Sequence, residues 1–516
     1  MQQTTEPRGD LPATAPASRF RVDPWPFAVG VVALVTCLLR GFDEMVSRDI
    51  GIYAYGARQV LAGEPPYVGI VNRGGPLAHL LPVPGILAAR LTGRDELLGM
   101  RAWYLVLAVA CVVLAYLVAR DLFDSRMAGL VAAAGLLSFE GFVALAVAGP
   151  REKTPMVLFI LAAVWALSRR RWLLTGGFVS LATLTLQIAF FPLLAAVVVA
   201  VVLGAGGHRV RDLLRFAVGG VIPAVAVLAY FAAYGAVHDL AEGFVLLNLR
   251  YSSGTPFTSE LAAKWASLQT GFGASLWLVI SGLLLVLVVT VLRVADRERR
   301  HDELTTTMVA VSVATVGSVL WTEVDFDSWV DLFTMLPLAA LGLGAGYAEL
   351  AHRVPLRAAR VVGVAAVVLS TLLAVHYSLT TRGGRLPLQE AVAREVVSHV
   401  PDGPVWSIES PEYLFLADRT NPTRYQVFSS GLQDYVDDTW PGGTKAFVAW
   451  NLARRPDLVL VNQHRLADQP WRQWIGADYA QVATSPGAVW FARRSLGSRV
   501  LDAIRAGDAQ VHQRLG

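Results

Sequence analysis

FDEMVSRDIGIYAYGARQVLAGEPPYVGIVNRGG, residues 42–75, follows directly on a first apolar run and decides how the rest of the chain is read. The stretch is acidic, aromatic and punctuated by glycine and proline. It leads into PLAHLLPVPGILAARLT (76–92), broken by Pro76, Pro82, Pro84 and Gly85. A bilayer crossing needs about 20 residues, so 76–92 reads as a juxtamembrane helix lying in the interface. A membrane protein with one long polar first loop and many short ones has placed its chemistry in that loop. Here Asp49 opens an amphipathic helix with Ile52, Tyr53, Val60 and Leu61 on one face. One reading of Asp49 is a helix N-cap. The other is a general base at the lipid–water boundary, where low dielectric would raise its pKa.

The composition around this loop is that of a membrane protein. Of 516 residues, 54% are hydrophobic and 16% charged, where a soluble chain carries about 25%. Mean hydropathy is +0.49. The net charge of +4 comes from arginines in loops, which argues for membrane orientation and against a nucleic-acid partner. Cys37 and Cys111 sit inside apolar runs, so no disulfide framework is expected. Lysine occurs only at Lys153, Lys264 and Lys445 while arginine is abundant, the bias of a GC-rich bacterial genome. Residues 1–24 read as a polar, disordered cytoplasmic tail without signal-peptide features.

Apolar runs that span or nearly span are 25–41, 102–119, 127–148, 154–168, 174–187, 188–204, 214–234, 274–294, 304–321, 331–349 and 359–377. The pair 174–204 is interrupted near Gln187 to Pro192. Arginines at 169–171, 209–215, 293–300 and 353–360 mark one side, with Arg120 and Arg126. By the positive-inside rule that side is cytoplasmic. The expected fold is mainly α: a polytopic protein of about 11 transmembrane helices in a bacterial plasma membrane, its N-terminus cytoplasmic. Its expected parts are a transmembrane domain over 25–377, containing a first external loop at 42–101, and an extracytoplasmic α/β domain over 378–516. In that tail PVWSIE (404–409), TRYQVF (423–428), DLVLVN (457–462) and AVWFAR (488–493) read as strands, and KAFVAWNLARR (445–455) and SRVLDAIRAGDAQVHQRL (498–515) as helices.

Polar groups expected near the outer interface supply the candidate chemistry. Arg151, Glu152 and Lys153 crowd three charges into a short loop between two spans, which is costly unless they are paired or solvated. Glu152 also suits the first turn of the following helix. A phosphate leaving group needs cations. Arg73, Arg151, Lys153, Arg250 and Lys264 are the candidates, with Tyr53 and Tyr251 beside them; each singly could equally be a solvated or headgroup-facing side chain. LGLGAG (341–346) lies within a span and reads as close helix packing. GAGGHR (204–209) lacks the Lys-Ser/Thr of a phosphate loop, and the isolated histidines offer no metal site. A divalent cation is left open by Asp325, Asp327 and Asp331, which could contribute oxygens.

SRDIGIYAYGARQVLAGEPPY (47–67), NRGGPLAHLLPVPGILAARLTG (72–93) and MRAWYLVLAVACVVLAYLVARDLF (100–123) together resemble the first third of GT-C glycosyltransferases. These include the protein O-mannosyltransferases and lipid A aminoarabinose transferase. In that superfamily an acidic residue opens the first juxtamembrane helix, a tyrosine follows four positions later and a proline starts the second. The corresponding residues here are Asp49, Tyr53 and Pro76. GPREKTPMVLFILAAVWALSRRRWLLTGG (149–177) looks like the second external loop, with Glu152 as its acid. The chain departs from the pattern at Ile50, where a second acid is frequent, at Gly74-Gly75 before Pro76, where Lys-Pro is common, and at Gln187, where a lysine is often found.

The resemblance covers about residues 25–350. It implies inverting transfer of a sugar from a polyprenyl-phosphate carrier to an envelope glycan, lipid or protein hydroxyl at the outer face. Asp49 would be the general base, and Tyr53, Arg73, Arg151, Glu152, Lys153, Arg250, Tyr251 and Lys264 would bind substrates. The alternatives are a ligase or polymerase using a lipid-diphosphate donor, and a non-enzymatic lipid-sugar translocator or scaffold. No charged residue deep in a span marks a transport path.

Overall fold

The computed structural model describes residues 23–204, 207–251, 254–467, 469–476 and 478–516. The expected tail 1–24 falls almost wholly outside them. The chain is mainly helical, 73%. Among the described residues, five helices are long and apolar enough to cross a membrane: Glu96–Phe123, Arg209–Ala233, Leu261–Ala295, Glu303–Trp321 and Leu356–Thr380. Four shorter apolar helices accompany them: Trp25–Arg40, Lys153–Ser168, Trp172–Thr185 and Gln187–Leu203. Arg209–Ala233 and Leu356–Thr380 leave Val218, Val221, Ile222, Val361, Leu369 and Leu372 exposed, as lipid-facing surfaces do.

Two expected spans are re-drawn. The run 127–148 is two helices, Arg126–Ser138 and Glu140–Ala148, bent by 68°, and counts as a sixth crossing only if the pair is one span. At the bend the Ser138 hydroxyl donates to the Gly135 carbonyl, and Ser275 Oγ accepts the Glu140 N–H. The run 331–349 begins later, as a helix over Leu336–Arg353, because Ser328 and Asp331 form a capping box on a preceding 3-10 turn. The expected break between 174 and 204 is present as a 3-10 turn over Gln187–Ala189. Irregular backbone within an apolar region persists only where it is buried or lines a cavity, and this one lines a cavity.

The helix Arg48–Leu61 follows a Ser47 N-cap whose Oγ accepts the Ile50 N–H, so Asp49 is not the cap. Nor does the helix turn one face to lipid: Gly51 through Ala57 are all buried. A Cβ at Gly51 would sit 2.4 Å from the Glu412 amide nitrogen, and one at Gly56 2.2 Å from His79 Nδ1. The helix is clamped between the short helices Pro411–Leu416 and Pro76–Leu80. The single juxtamembrane helix expected over 76–92 is split at Leu81 and Pro82 into Pro76–Leu80 and Val83–Thr92. Buried Arg101 donates to the Phe42, Glu44 and Ala148 carbonyls, drawing the start of the first loop to the 149–151 turn.

The tail carries a four-stranded sheet, β1 (Val405–Ile408), β2 (Leu458–Asn462), β3 (Tyr479–Ser485) and β4 (Ala488–Arg493), in the order β1-β2-β4-β3. β1 and β2 are parallel, and the other pairs antiparallel. Residues 423–428, expected as a strand, form none: the Arg424 carbonyl accepts the Val71 N–H and the Gln426 carbonyl the Glu409 N–H, so no ladder forms. The helices expected at 445–455 and 498–515 occur as Gly443–Ala453 and Ser498–Leu515. β3 was not anticipated.

Candidate active site

Gly149, at φ +136°, admits Ile50 against the turn after the bent helix. That approach brings Asp49 and Arg151 together. Asp49 Oδ2 accepts from Arg151 Nη2 at 2.5 Å, and Oδ1 accepts from Arg48 Nε and Nη2 at 3.0 and 2.8 Å. Burial pushes the Asp49 carboxyl up, but Arg151, Arg48 and Lys153 outweigh it and hold it well below the usual carboxylate range. The expected raised pKa is therefore reversed. The carboxylate is 29% exposed, because it faces a cavity.

The charges continue on both sides. Lys153 Nζ lies 3.3 Å from Asp331 Oδ1 and 3.7 Å from Glu152 Oε1, while Arg151 Nε lies 3.8 Å from Glu152 Oε2. Glu152 and Lys153 are buried, and Glu152 Oε2 has no hydrogen-bond partner among the described residues. Tyr53 is buried beside them; burial, Glu152 and Asp49 keep its hydroxyl protonated. On the other side, Arg48 Nη1 donates to Glu409 Oε1 and Ser429 Oγ, both at 2.8 Å.

A cavity of about 790 Å³ receives Arg48, Asp49, Tyr53, Arg73, Arg151, Glu152 and Lys153. Apolar side chains also line it: Leu186, Ile188, Phe190, Phe191, Val245, Leu249, Trp321 and Val324. Arg73 Nη2 bonds Asp325 Oδ2 at 2.9 Å. The Arg73 carbonyl accepts from Gln187 Nε2 and Asn248 Nδ2, both at 3.2 Å. Gln187 thus holds the backbone of one of the cavity's cations. Asp331 also accepts the Asp327 and Ser328 N–H groups. Asp325, Asp327 and Asp331, the oxygens considered for a cation, are engaged by Arg73, by Ser430 and by Lys153 respectively. Burial, Asp325 and Asp331 push the Asp327 carboxyl up.

Three of the expected binding residues lie away from this cavity. Lys264 is buried, but Thr255, Pro256 and Ser259 take up its ammonium. Arg250 is exposed. Tyr251 packs edge-on against Tyr435. Two residues given no role from sequence join the site: Arg48, a polar group of the first loop beside Asp49, and Glu409, for which there was no signal.

Glu412, packed behind Asp49, is buried, and desolvation pushes its carboxyl up to about 8 from an ordinary 4.5. Between those values the folded chain binds a proton that the unfolded chain does not. This contribution to stability is complete below about pH 4.5 and is lost as pH rises to about 8. In detergent, the apparent Tm of wild type is expected to fall from pH 5 to pH 8.5, and that of Glu412→Gln to fall less. Parallel curves would show that Glu412 does not titrate in that window.

No family model matches the chain, and no curated protein is significantly similar to it. Solved structures are similar. ArnT from Cupriavidus metallidurans in the apo state aligns with TM-score 0.60 at 14% identity, covering 91% of this chain and 97% of that one. The same protein bound to undecaprenyl phosphate aligns with TM-score 0.58 at 15% identity, covering 91% and 98%. The charged cavity beside the 3-10 break at Gln187–Ala189 is therefore carried on a fold similar to that of ArnT.

Proposed function

We propose that this chain is a membrane glycosyltransferase moving a sugar from a polyprenyl-phosphate donor to a hydroxyl of a cell-envelope glycan, glycolipid or protein. The observation that carries the reading is one cavity lined both by apolar side chains and by Arg48, Arg73, Arg151 and Lys153, with the Asp49 carboxylate held by Arg48 and Arg151. An isoprenoid chain suits the apolar side chains and its phosphate the cations. The undecaprenyl phosphate bound to the ArnT neighbour supports the same donor class.

In this mechanism the acceptor oxygen attacks the anomeric carbon and the bond from that carbon to phosphate oxygen breaks, with inversion. Asp49 takes the acceptor proton. Arg151, Lys153 and Arg73 stabilise the charge developing on the departing polyprenyl phosphate. These cations hold carboxylates in the donor-free site, so the phosphate enters by exchange with Asp49, Glu152, Asp331 and Asp325. Withdrawing Arg151 from Asp49 restores basicity to that carboxylate when donor is present. The reading puts this site and the segment 378–516 on the outer side, the N-terminus in the cytoplasm, and the short helices among about 11 crossings.

The test presents membranes containing the chain with radiolabelled polyprenyl-phosphate sugars and, in parallel, polyprenyl-diphosphate sugars. Label leaving the monophosphate donor is the expected result. Consumption of diphosphate donors alone would replace the reading by that of a ligase or polymerase, and consumption of neither would remove transferase activity.

A further inference from the structure

Asp49, Arg48 and Arg151 also form one wall of a second chamber, of about 650 Å³. It lies within the range of about 300–1,000 Å³ in which small ligands are bound. Its far wall comes from the tail. Glu409 directly follows β1, Asn462 ends β2, and His464 and Arg465 follow it. These two strands are parallel, so the chamber opens at their carboxyl ends, where open α/β sheets present ligands.

The far wall is built around Glu409. Its backbone is held at φ +62°, a conformation that costs a non-glycine residue energy. Its buried carboxylate accepts from Arg48 Nη1 at 2.8 Å, the Phe428 N–H at 2.8 Å and Arg465 Nε at 3.2 Å. The tail therefore grips the same arginine that grips Asp49.

An inverting displacement needs nucleophile and leaving group on opposite sides of the anomeric carbon. The first chamber has the apolar side chains for a lipid donor; the second shares Arg48, Asp49, Arg151, Ser328, Val330 and Ser429 with it and adds Glu409, Asn462, His464 and Arg465 from the tail. Among the described residues only Trp329 and Val330 are apolar in its wall. The rest are hydroxyl, amide, guanidinium, imidazole and carboxylate groups, a mixture of donors and acceptors that matches sugar hydroxyls, which do both. His464 is exposed, so the chamber is reached from water.

Resting on the transferase reading, we propose that this second chamber is the acceptor site and that its acceptor is the hydrophilic end of a glycan entering from water. Asn462, His464 and Arg465 hold it, Glu409 positions Arg48 and Arg465, and the attacking hydroxyl gives its proton to Asp49. The anomeric carbon leaves the phosphate oxygen and bonds to the glycan oxygen.

The experiment uses the full chain in proteoliposomes with its labelled polyprenyl-phosphate donor. Acceptors are water-soluble gluco-, manno- and arabino-oligosaccharides and, separately, dioleoyl glycolipids bearing the same sugars. Saturable transfer to at least one oligosaccharide is expected. Asn462→Ala and His464→Ala should each raise its KM about tenfold while the donor KM stays within twofold. Glu409→Gln should lower kcat more than it raises KM, with Glu409→Asp recovering part of the loss. Transfer to glycolipids alone, or an oligosaccharide KM unmoved by both tail substitutions, would overturn the acceptor assignment and leave the transferase reading standing. A wild type that releases no label from donor, to any acceptor or to water, would overturn both.

Discussion

Asp49→Asn is expected to lower kcat for sugar transfer about 10³-fold, within the range of about 10²–10⁴ that a positioned general base contributes. The amide keeps the size of the carboxylate and can still accept from Arg48, but it cannot take the acceptor's proton at any working pH. Donor binding should persist, because the cations that would meet the phosphate are all retained. Part of the effect could come from Arg48 and Arg151, which lose their shared anion. Asp49→Ala separates the two contributions: if proton transfer dominates, Asn and Ala are equally inactive. The measurement is the initial rate of label transfer by equal amounts of monodisperse protein, together with the donor Kd. An Asn variant within tenfold of wild type would remove Asp49 from proton transfer. The role would then pass to Asp327, whose carboxyl faces the same cavity and is pushed up by burial and its neighbouring aspartates.

That Asp49 could be singled out from sequence follows from where it stands. One long polar loop after a first apolar run, opened by an acid and closed by a run too short to cross, is a local signal. The apolar runs, the break near Gln187 and three of the four strands are equally local and were legible. What was not legible depends on contacts between distant residues. Arg48 meets Glu409 across 361 positions, and nothing around Glu409 marks it. Lys264 read as a phosphate ligand because a lone lysine near an interface is chemically suited to one; the turn 255–259, closing on its ammonium, takes that role away. The segment 423–428 has strand-like composition, but its backbone bonds go to the first loop and to Glu409. The sign of the Asp49 shift failed for a similar reason: low dielectric alone raises a carboxyl, and Arg48 beside it in sequence, joined by Arg151 from 102 positions away, lowers it.

Those arginines set the second large effect. Arg151→Ala is expected to lower kcat/KM about 10²–10³-fold, the cost of removing one group that stabilises charge developing in a transition state. It should also move the acid limb of the kcat/KM profile to higher pH. The sign follows from the free enzyme, whose groups that profile reports. In wild type, Arg151 helps hold the Asp49 carboxyl below the usual range, so the base stays ionised as pH falls. Without Arg151, burial opposes only Arg48 and Lys153, the carboxyl rises, and the base protonates at a higher pH. Arg151→Lys keeps the charge without the planar fork. It should recover part of the rate and return the limb toward wild type. A loss of kcat/KM with an unmoved limb would mean that Arg151 serves the phosphate alone. A moved limb with kcat/KM preserved at its optimum would mean that it serves only the base. The expected result is both together, because the same guanidinium that contacts Asp49 at 2.5 Å is one of the cations assigned to the donor phosphate in the proposed mechanism.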